Sequence, residues 1–282
     1  MVVPGGSFRF KIGNFECSVI SDGMLTMPDT LSQPVPGQYH IIRPGQLMDV
    51  LCLFIKTGER AILLDTGLGV GGQPLGGKLL HNLKAEGVLP RDIDTVILSH
   101  GHGDHISGLT DAEGRPVFPS ARYIMSKAEW EFWTSDPELT RLNLNEGARQ
   151  MFRAAVQKNL IPIKDRLDLI DGETGIIAGI EFIRAPGHTP GHIMLSISSG
   201  TEQLLCTSDL VHLPSHLRRP DLYDIFDIAP EQGHRTKIQM LSRVVTPDVL
   251  VFACHFPFPG LGHIVKKGGG WLWQPIEIKG KT

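Results

Sequence analysis

The chain has 282 residues, of which 41% are apolar and 20% charged, and its formal net charge is −3 at pH 7. This is the composition of a folded protein able to bury a substantial core, and it excludes a disordered chain. The small net charge and scattered Lys and Arg exclude a nucleic-acid footprint, and no apolar run approaches the ~18 residues that span a bilayer. The expected partner is therefore a small-molecule substrate, with no nucleic acid and no membrane. The opening MVVPGGSFRF has no basic segment followed by an apolar one, so a cytoplasmic location is expected. Cys17, Cys52, Cys206 and Cys254 lack CxxC spacing and sit mostly in apolar runs, as buried free thiols do.

In chain order, Phe8 to Ser21 reads as two strands around the turn Gly13-Asn14. Thr26 to Gln46, rich in Pro, Gly and Gln, reads as a long loop. Met48 to Ile55 and Ala61 to Leu64 read as a hairpin that ends in Asp65-Thr66-Gly67. Leucine spacing predicts a helix from about Pro74 to Glu86, and Asp94 to Ser99 is a β-branched strand running into His100. Tyr123 to Met125 is another strand. Ser126 to Glu129 then resembles a capping box opening a helix, and Asn143 to Gln157 has helical spacing. Glu181 to Arg184, Ile193 to Ile197 and Leu204 to Cys206 read as strands, Glu231 to Val244 as a helix, and Val249 to Ala253 as a buried strand. Strands come first and last with helices between them. The expectation is one α/β domain over 1–282, a four-layer αβ/βα sandwich of two mixed sheets with helices outside, with a helical insertion at about 126–160.

The decisive stretch is Ser99-His100-Gly-His102-Gly-Asp104-His105. Extended backbone points His100 and His102 the same way, and Gly101 and Gly103 remove Cβ crowding so that Asp104 and His105 can face the same point. Imidazole with carboxylate favours zinc, with iron or manganese in octahedral variants. His188, Asp209 and His255 each follow a later apolar run, where ligands from separate strands can converge.

HxHxDH followed by His, Asp and His, each after a later strand, resembles the metallo-β-lactamase fold hydrolases, and the resemblance extends to Asp65-Thr66-Gly67. The second half is similar in particular to methyl parathion hydrolase and its lactonase and aryl-esterase relatives. The residues carrying this are 128–133, 186–192, 208–212 and 255–263. N-acyl-homoserine lactonases share the ligand set with a shorter insert. The resemblance implies two divalent cations, zinc with manganese, iron or cobalt as alternatives. His100, His102 and His188 hold the first, Asp104, His105 and His255 the second, and Asp209 bridges them together with a hydroxide nucleophile. It implies that Asp104 passes a proton to the leaving group and that Asp65 orients a ligand histidine. His212 stands about where such lactonases often carry a tyrosine that donates to the substrate carbonyl. Trp133, Phe152, Leu31 and His263 are the expected substrate pocket, although His263 can equally cap the final segment. A homodimer is implied by family alone. Cys254 is expected to point away from its neighbour His255, His192 and His216 carry no assigned role, and His40, His81 and His234 are expected in solvent.

The activity expected is hydrolysis of lactones or aryl esters, with phosphotriester cleavage as a side activity. Two alternatives stay open: an organophosphate triesterase, and a metal-containing ligand-binding protein of the same fold without turnover.

Overall fold

The computed structural model describes residues 6–27, 37–40, 42–43, 45–71, 74–135, 146–171, 177–243, 246 and 248–278. The first sheet starts with a hairpin, β1 (Ser7–Ile12) and β2 (Phe15–Thr26), turning at Gly13-Asn14 as expected. The antiparallel pair β3 (Leu47–Lys56) and β4 (Ala61–Leu64) follows. β5 (Thr95–Leu98), β6 (Arg122–Ser126) and β7 (Leu167–Ile170) then add in parallel, giving seven strands in sequence order. The second sheet has six strands, also in sequence order: β8 (Ile180–Arg184), β9 (Ile193–Ser199), β10 (Glu202–Cys206), β11 (Leu250–Phe252), β12 (Leu261–Lys267) and β13 (Gly270–Pro275).

The sequence of β3 shows how the layers arise. Leu51, Leu53 and Ile55 pack into the core between the sheets, against Phe182, Leu195, Leu204 and Phe252 of the second sheet. Cys52 and Phe54, on the opposite pleat, pack outward with Leu79, Leu83, Trp133 and Val156. A strand buried on both faces reads as an unbroken apolar run, and β3 does from Val50 to Ile55. The outward residues meet α1 (Leu79–Ala85), α3 (Lys127–Thr134) and α4 (Glu146–Asn159). On the far face of the second sheet, Met240 and Leu241 of α5 (Pro230–Arg243) pack on Met194, Leu205 and Val251. The result is the four-layer arrangement read from the sequence. No helix among the described residues is long and apolar enough to cross a membrane.

Some elements differ from expectation. The first helix is shorter, beginning at Leu79, because its N-terminus is set from a distance: Asp22, fully buried, accepts from the Leu79 amide (2.7 Å) and from Leu68 (2.7 Å) and Gly77 (3.2 Å). Asp22→Ala leaves three amides without their acceptor. At ~1–3 kcal/mol for each unsatisfied buried donor, a loss of about 3 kcal/mol or more is expected, read as a lower urea midpoint at unchanged slope. A midpoint within error of the native protein would refute that role. Ser126 is the N-cap residue of α3 but makes no side-chain cap bond, and the Glu129 carboxylate that would complete a capping box is engaged elsewhere. β7 and the hairpin β12–β13 were not anticipated. Most of the expected loop at 26–46, including Leu31, and residues 136–145 of the expected insertion lie outside the described residues.

Candidate metal centre

The topology brings the ligand loops to one edge. β4 and β5 run parallel, so Asp65 and His100 leave their C-terminal ends side by side. In the second sheet β10 and β11 are parallel, and two antiparallel steps make β8 run with β10. His188, Asp209 and His255 therefore also follow strand C-termini on a common edge, the usual place for sites in α/β sheets. Backbone bonds join the two edges: Ile193 N–H to Ser99 O (3.1 Å) and Leu51 N–H to Cys254 O (3.0 Å).

The seven expected ligands meet there. His100, His102, His105, His188, Asp209 and His255 are all buried, and Asp104, at the start of the short α2 (Gly103–Ile106), is partly exposed. Asp209 lies at the middle. Its Oδ2 is 3.3 Å from His188 Nε2 and 3.7 Å from His100 Nε2. Its Oδ1 is 3.2 Å from His105 Nε2 and 3.4 Å from His255 Nε2. Asp104 Oδ2 is 3.3 Å from His255 Nε2 and 3.7 Å from His105 Nε2. His102 Nδ1 faces His188 Nε2 at 2.9 Å. Two compact donor groups result, His100-His102-His188-Asp209 and His105-Asp209-Cys254-His255.

These donors fit a pair of divalent cations, and the outer hydrogen bonds are the reason. Four imidazoles are held through Nδ1: His100 on Ser99 Oγ (3.0 Å), His105 on Asp65 (2.8 Å), His188 on Asp227 (3.1 Å) and His255 on the Asp49 carbonyl (2.8 Å). An oxygen acceptor at Nδ1 places the proton there and turns the Nε2 lone pair inward. Buried Nε2 atoms of His100, His105 and His255 have no hydrogen-bond partner, an arrangement that costs free energy unless a cation takes them. Burial, with neighbouring imidazoles adding to it, holds His100 and His102 well below the usual histidine range and so neutral. Burial would raise the Asp209 carboxyl, but the imidazoles of His105, His255 and His100 drive it well below the carboxylate range.

Asp65 lies behind His105, on the side away from Asp209. It accepts from the Ser99 amide (2.8 Å) and hydroxyl (2.7 Å) as well as from His105, and it does so from a left-handed backbone (φ 59°). The other non-glycine residue with positive φ among those described is Ser208 (φ 46°), next to Asp209. Unusual backbone thus flanks both sides of the centre. Gly101 is required, because a Cβ there would lie 2.4 Å from the Trp133 indole. Gly103 is not, since a Cβ there meets nothing closer than 3.6 Å.

His212 is buried with both ring nitrogens on carboxylates, Nδ1 to Asp224 (2.8 Å) and Nε2 to Asp209 (3.1 Å). Burial opposes its protonation, but Asp224 and Asp209 outweigh burial and raise its pKa well above normal. Trp133 and Phe152 flank His102, with ring centroids at 5.6 and 5.0 Å. His263, also expected in the pocket, has its Nδ1 on the Val249 carbonyl at 3.1 Å.

Several residues escaped the sequence reading. Glu129 is fully buried and accepts four hydrogen bonds: from the Gly101 amide (2.8 Å) and Trp133 Nε1 (2.5 Å) on one oxygen, and from Thr189 Oγ1 (2.7 Å) and the Gly191 amide (2.8 Å) on the other. It clasps the loop carrying His100 and His102 to the loop carrying His188. His192 donates to the Ala185 carbonyl (2.9 Å) and accepts the Asp209 amide (3.2 Å); burial first of all keeps it neutral, its pKa lowered to about 3. Cys254 points toward the centre, not away, its Sγ 3.3 Å from Asp209 Oδ1. β11 ends at Phe252, so strand alternation no longer governs residue 254. His40, expected in solvent, is buried and stacked on His216 at 3.8 Å.

Residues 45–272 match the model of the metallo-beta-lactamase superfamily. An N-acyl homoserine lactonase from Bacillus sp is 27% identical over 179 residues, which are 56% of this chain and 62% of that protein. The chain thus spans about three fifths of the length of such curated relatives. Among solved structures, the chain superimposes on AidC, a dizinc quorum-quenching lactonase in complex with the product N-hexanoyl-L-homoserine, with a TM-score of 0.89 and 28% identity over 99% of this chain and 100% of that one. It also superimposes on the hydrolase AbOPH of the beta lactamase superfamily, with a TM-score of 0.83 and 26% identity over 98% and 99% of the two chains.

Proposed function

The chain belongs to the metallo-β-lactamase superfamily, and from that premise we propose that it is a dinuclear metal-dependent hydrolase of lactones. The observation that carries this reading is Asp209, shared by two donor groups in which His100, His105, His188 and His255 are anchored through Nδ1, with Nε2 of His100, His105 and His255 left without a hydrogen-bond partner. His100, His102, His188 and Asp209 would hold one cation; His105, His255, Asp104 and Asp209 would hold the other. Two zinc ions, when bound, supply Lewis acidity toward the scissile carbonyl and toward water.

The chain's own residues supply the rest. Asp104, the partly exposed carboxylate of the set, can hold a proton and pass it to the leaving alkoxide. His212, oriented by Asp224 through Nδ1, can turn its Nε2 hydrogen bond from Asp209 to the carbonyl oxygen as charge develops there. Trp133 and Phe152 form an apolar wall beside His102 that suits an acyl chain. The lactonase relative and the product-bound lactonase structure favour a lactone over a phosphotriester.

The test is turnover of an N-acyl homoserine lactone, dihydrocoumarin, a p-nitrophenyl ester and a phosphotriester by zinc-loaded protein. Lactone hydrolysis with the highest kcat/KM supports the reading. Inertness toward all four would leave a ligand-binding protein, and a dominant phosphotriester rate would replace the substrate class. His212→Ala should lower kcat on the lactone about 100-fold, in the range for loss of one oxyanion donor, with zinc content unchanged. Unchanged kcat, or loss of zinc, would remove His212 from that role.

A further inference from the structure

The two donor groups are not chemically alike. One consists of three imidazoles and a carboxylate, whereas the other contains a sulfur. We propose that Cys254 Sγ is a ligand of the second cation, completing a set with His105 Nε2, His255 Nε2 and Asp209 Oδ1. The proposal rests on the dinuclear reading above.

Four observations carry it. The ligand atoms of His105, Asp209, Cys254 and His255 all lie within 4.8 Å of one another, a spread that one cation can span. All four residues are buried. The Nε2 atoms of His105 and His255 have no hydrogen-bond partner, so the sulfur belongs to a cluster of buried donor atoms whose lone pairs are open to a cation. Finally, the backbone fixes Cys254 in place: its carbonyl accepts the Leu51 amide at 3.0 Å, and the next residue is tied to the Asp49 carbonyl at 2.8 Å. Both bonds go to β3, so adjacent residues are held facing the same centre.

A simpler role for the thiol is to donate its S–H to Asp209 Oδ1 at 3.3 Å. That bond and ligation by the sulfur are mutually exclusive, because a thiolate has no proton to donate, so the two roles are separable by experiment. Ligation replaces the S–H bond by a metal–sulfur bond, and the thiol proton leaves to solvent. Asp104 Oδ2, 3.3 Å from His255 Nε2 and more exposed, stays in reach as a further ligand or as the proton carrier. Thiolate is a soft donor, so the second position should favour zinc, cobalt or cadmium over manganese or magnesium, while the first has no such bias. The two positions would then fill in a different order with different metals.

The test is optical. Full-length protein is freed of metal, loaded with cobalt(II) and examined for the near-ultraviolet thiolate-to-cobalt charge-transfer band. The expected result is a band in the native protein that disappears in Cys254→Ala and Cys254→Ser, while the visible cobalt bands from imidazole and carboxylate ligands persist. Cys17, Cys52 and Cys206 remain in both variants, so loss of the band would belong to Cys254. Two bound equivalents of cobalt without the band would overturn the proposal and leave the dinuclear reading standing, as would a band that survives in Cys254→Ala. Failure of the native protein to take up cobalt would overturn both. Should the variants not fold, the cadmium-113 chemical shift of the native protein decides alone, since sulfur ligation moves it far downfield of a nitrogen–oxygen set.

Discussion

Asp209→Ala is expected to retain about one cation at most and to lose lactone turnover by well over the 10–100-fold typical of outer hydrogen-bond partners. It is the carboxylate common to both donor groups, with one oxygen toward His188 and His100 and the other toward His105 and His255. Removing it leaves buried imidazoles confronting one another with no anion among them, and two cations placed there would repel without a shared negative charge. Asp209→Asn separates charge from shape: it keeps one oxygen and the volume but presents an amide to imidazole nitrogens. It should hold less metal than the native protein and more than the alanine variant. Metal analysis after gel filtration, paired with steady-state kinetics, checks both. Two tightly held equivalents and normal turnover in Asp209→Ala would sink the assignment of a shared carboxylate.

The reason the candidate ligands stand out in the sequence is geometric. Four of them fall within six residues directly after β5, and the other three each follow a short apolar strand, so strand-then-ligand is a local pattern. The layers were readable for a similar reason, since β3 carries apolar residues on both pleats. What could not be read are partners that are remote in sequence. Asp227 lies 39 residues from His188, and Glu129 lies 28 from Gly101 and 62 from Gly191. A lone acid in the first turn of a helix looks like a cap, and Glu129 does, yet its carboxylate reaches across to two loops. Asp224 likewise reads as an ordinary loop acid until β10 and α5 place it beside His212. Cys254 was misassigned because strand parity was carried two residues past the end of β11. β7 has only four residues and three of them are at least partly exposed, too weak a signal beside the stronger runs.

Glu129 gives the second large effect, and it distinguishes holding a ligand from being one. None of its four hydrogen bonds goes to one of the seven candidate ligand side chains. All four of its partners are donors, the Gly101 and Gly191 amides, Trp133 Nε1 and Thr189 Oγ1, so the carboxylate joins the segment between His100 and His102 to the segment following His188. Those three histidines form the first donor group with Asp209, whereas His105 and His255 are held separately by Asp65 and the Asp49 carbonyl. Glu129→Ala should therefore weaken the first position by about 10–100-fold and spare the second. Glu129→Gln should do nearly the same despite its matching shape, since its amide nitrogen turns two donors toward groups that themselves donate. Glu129→Asp keeps the charge on a shorter arm that cannot reach both loops, and it should fall between the native protein and the alanine variant. Cobalt titration followed optically separates the two positions. Equal weakening of both would make Glu129 a general support of the core, and unaltered binding in Glu129→Ala would mean that the two loops hold their places without it. A loss confined to the first position would mark Glu129 as the residue that sets where His100, His102 and His188 converge.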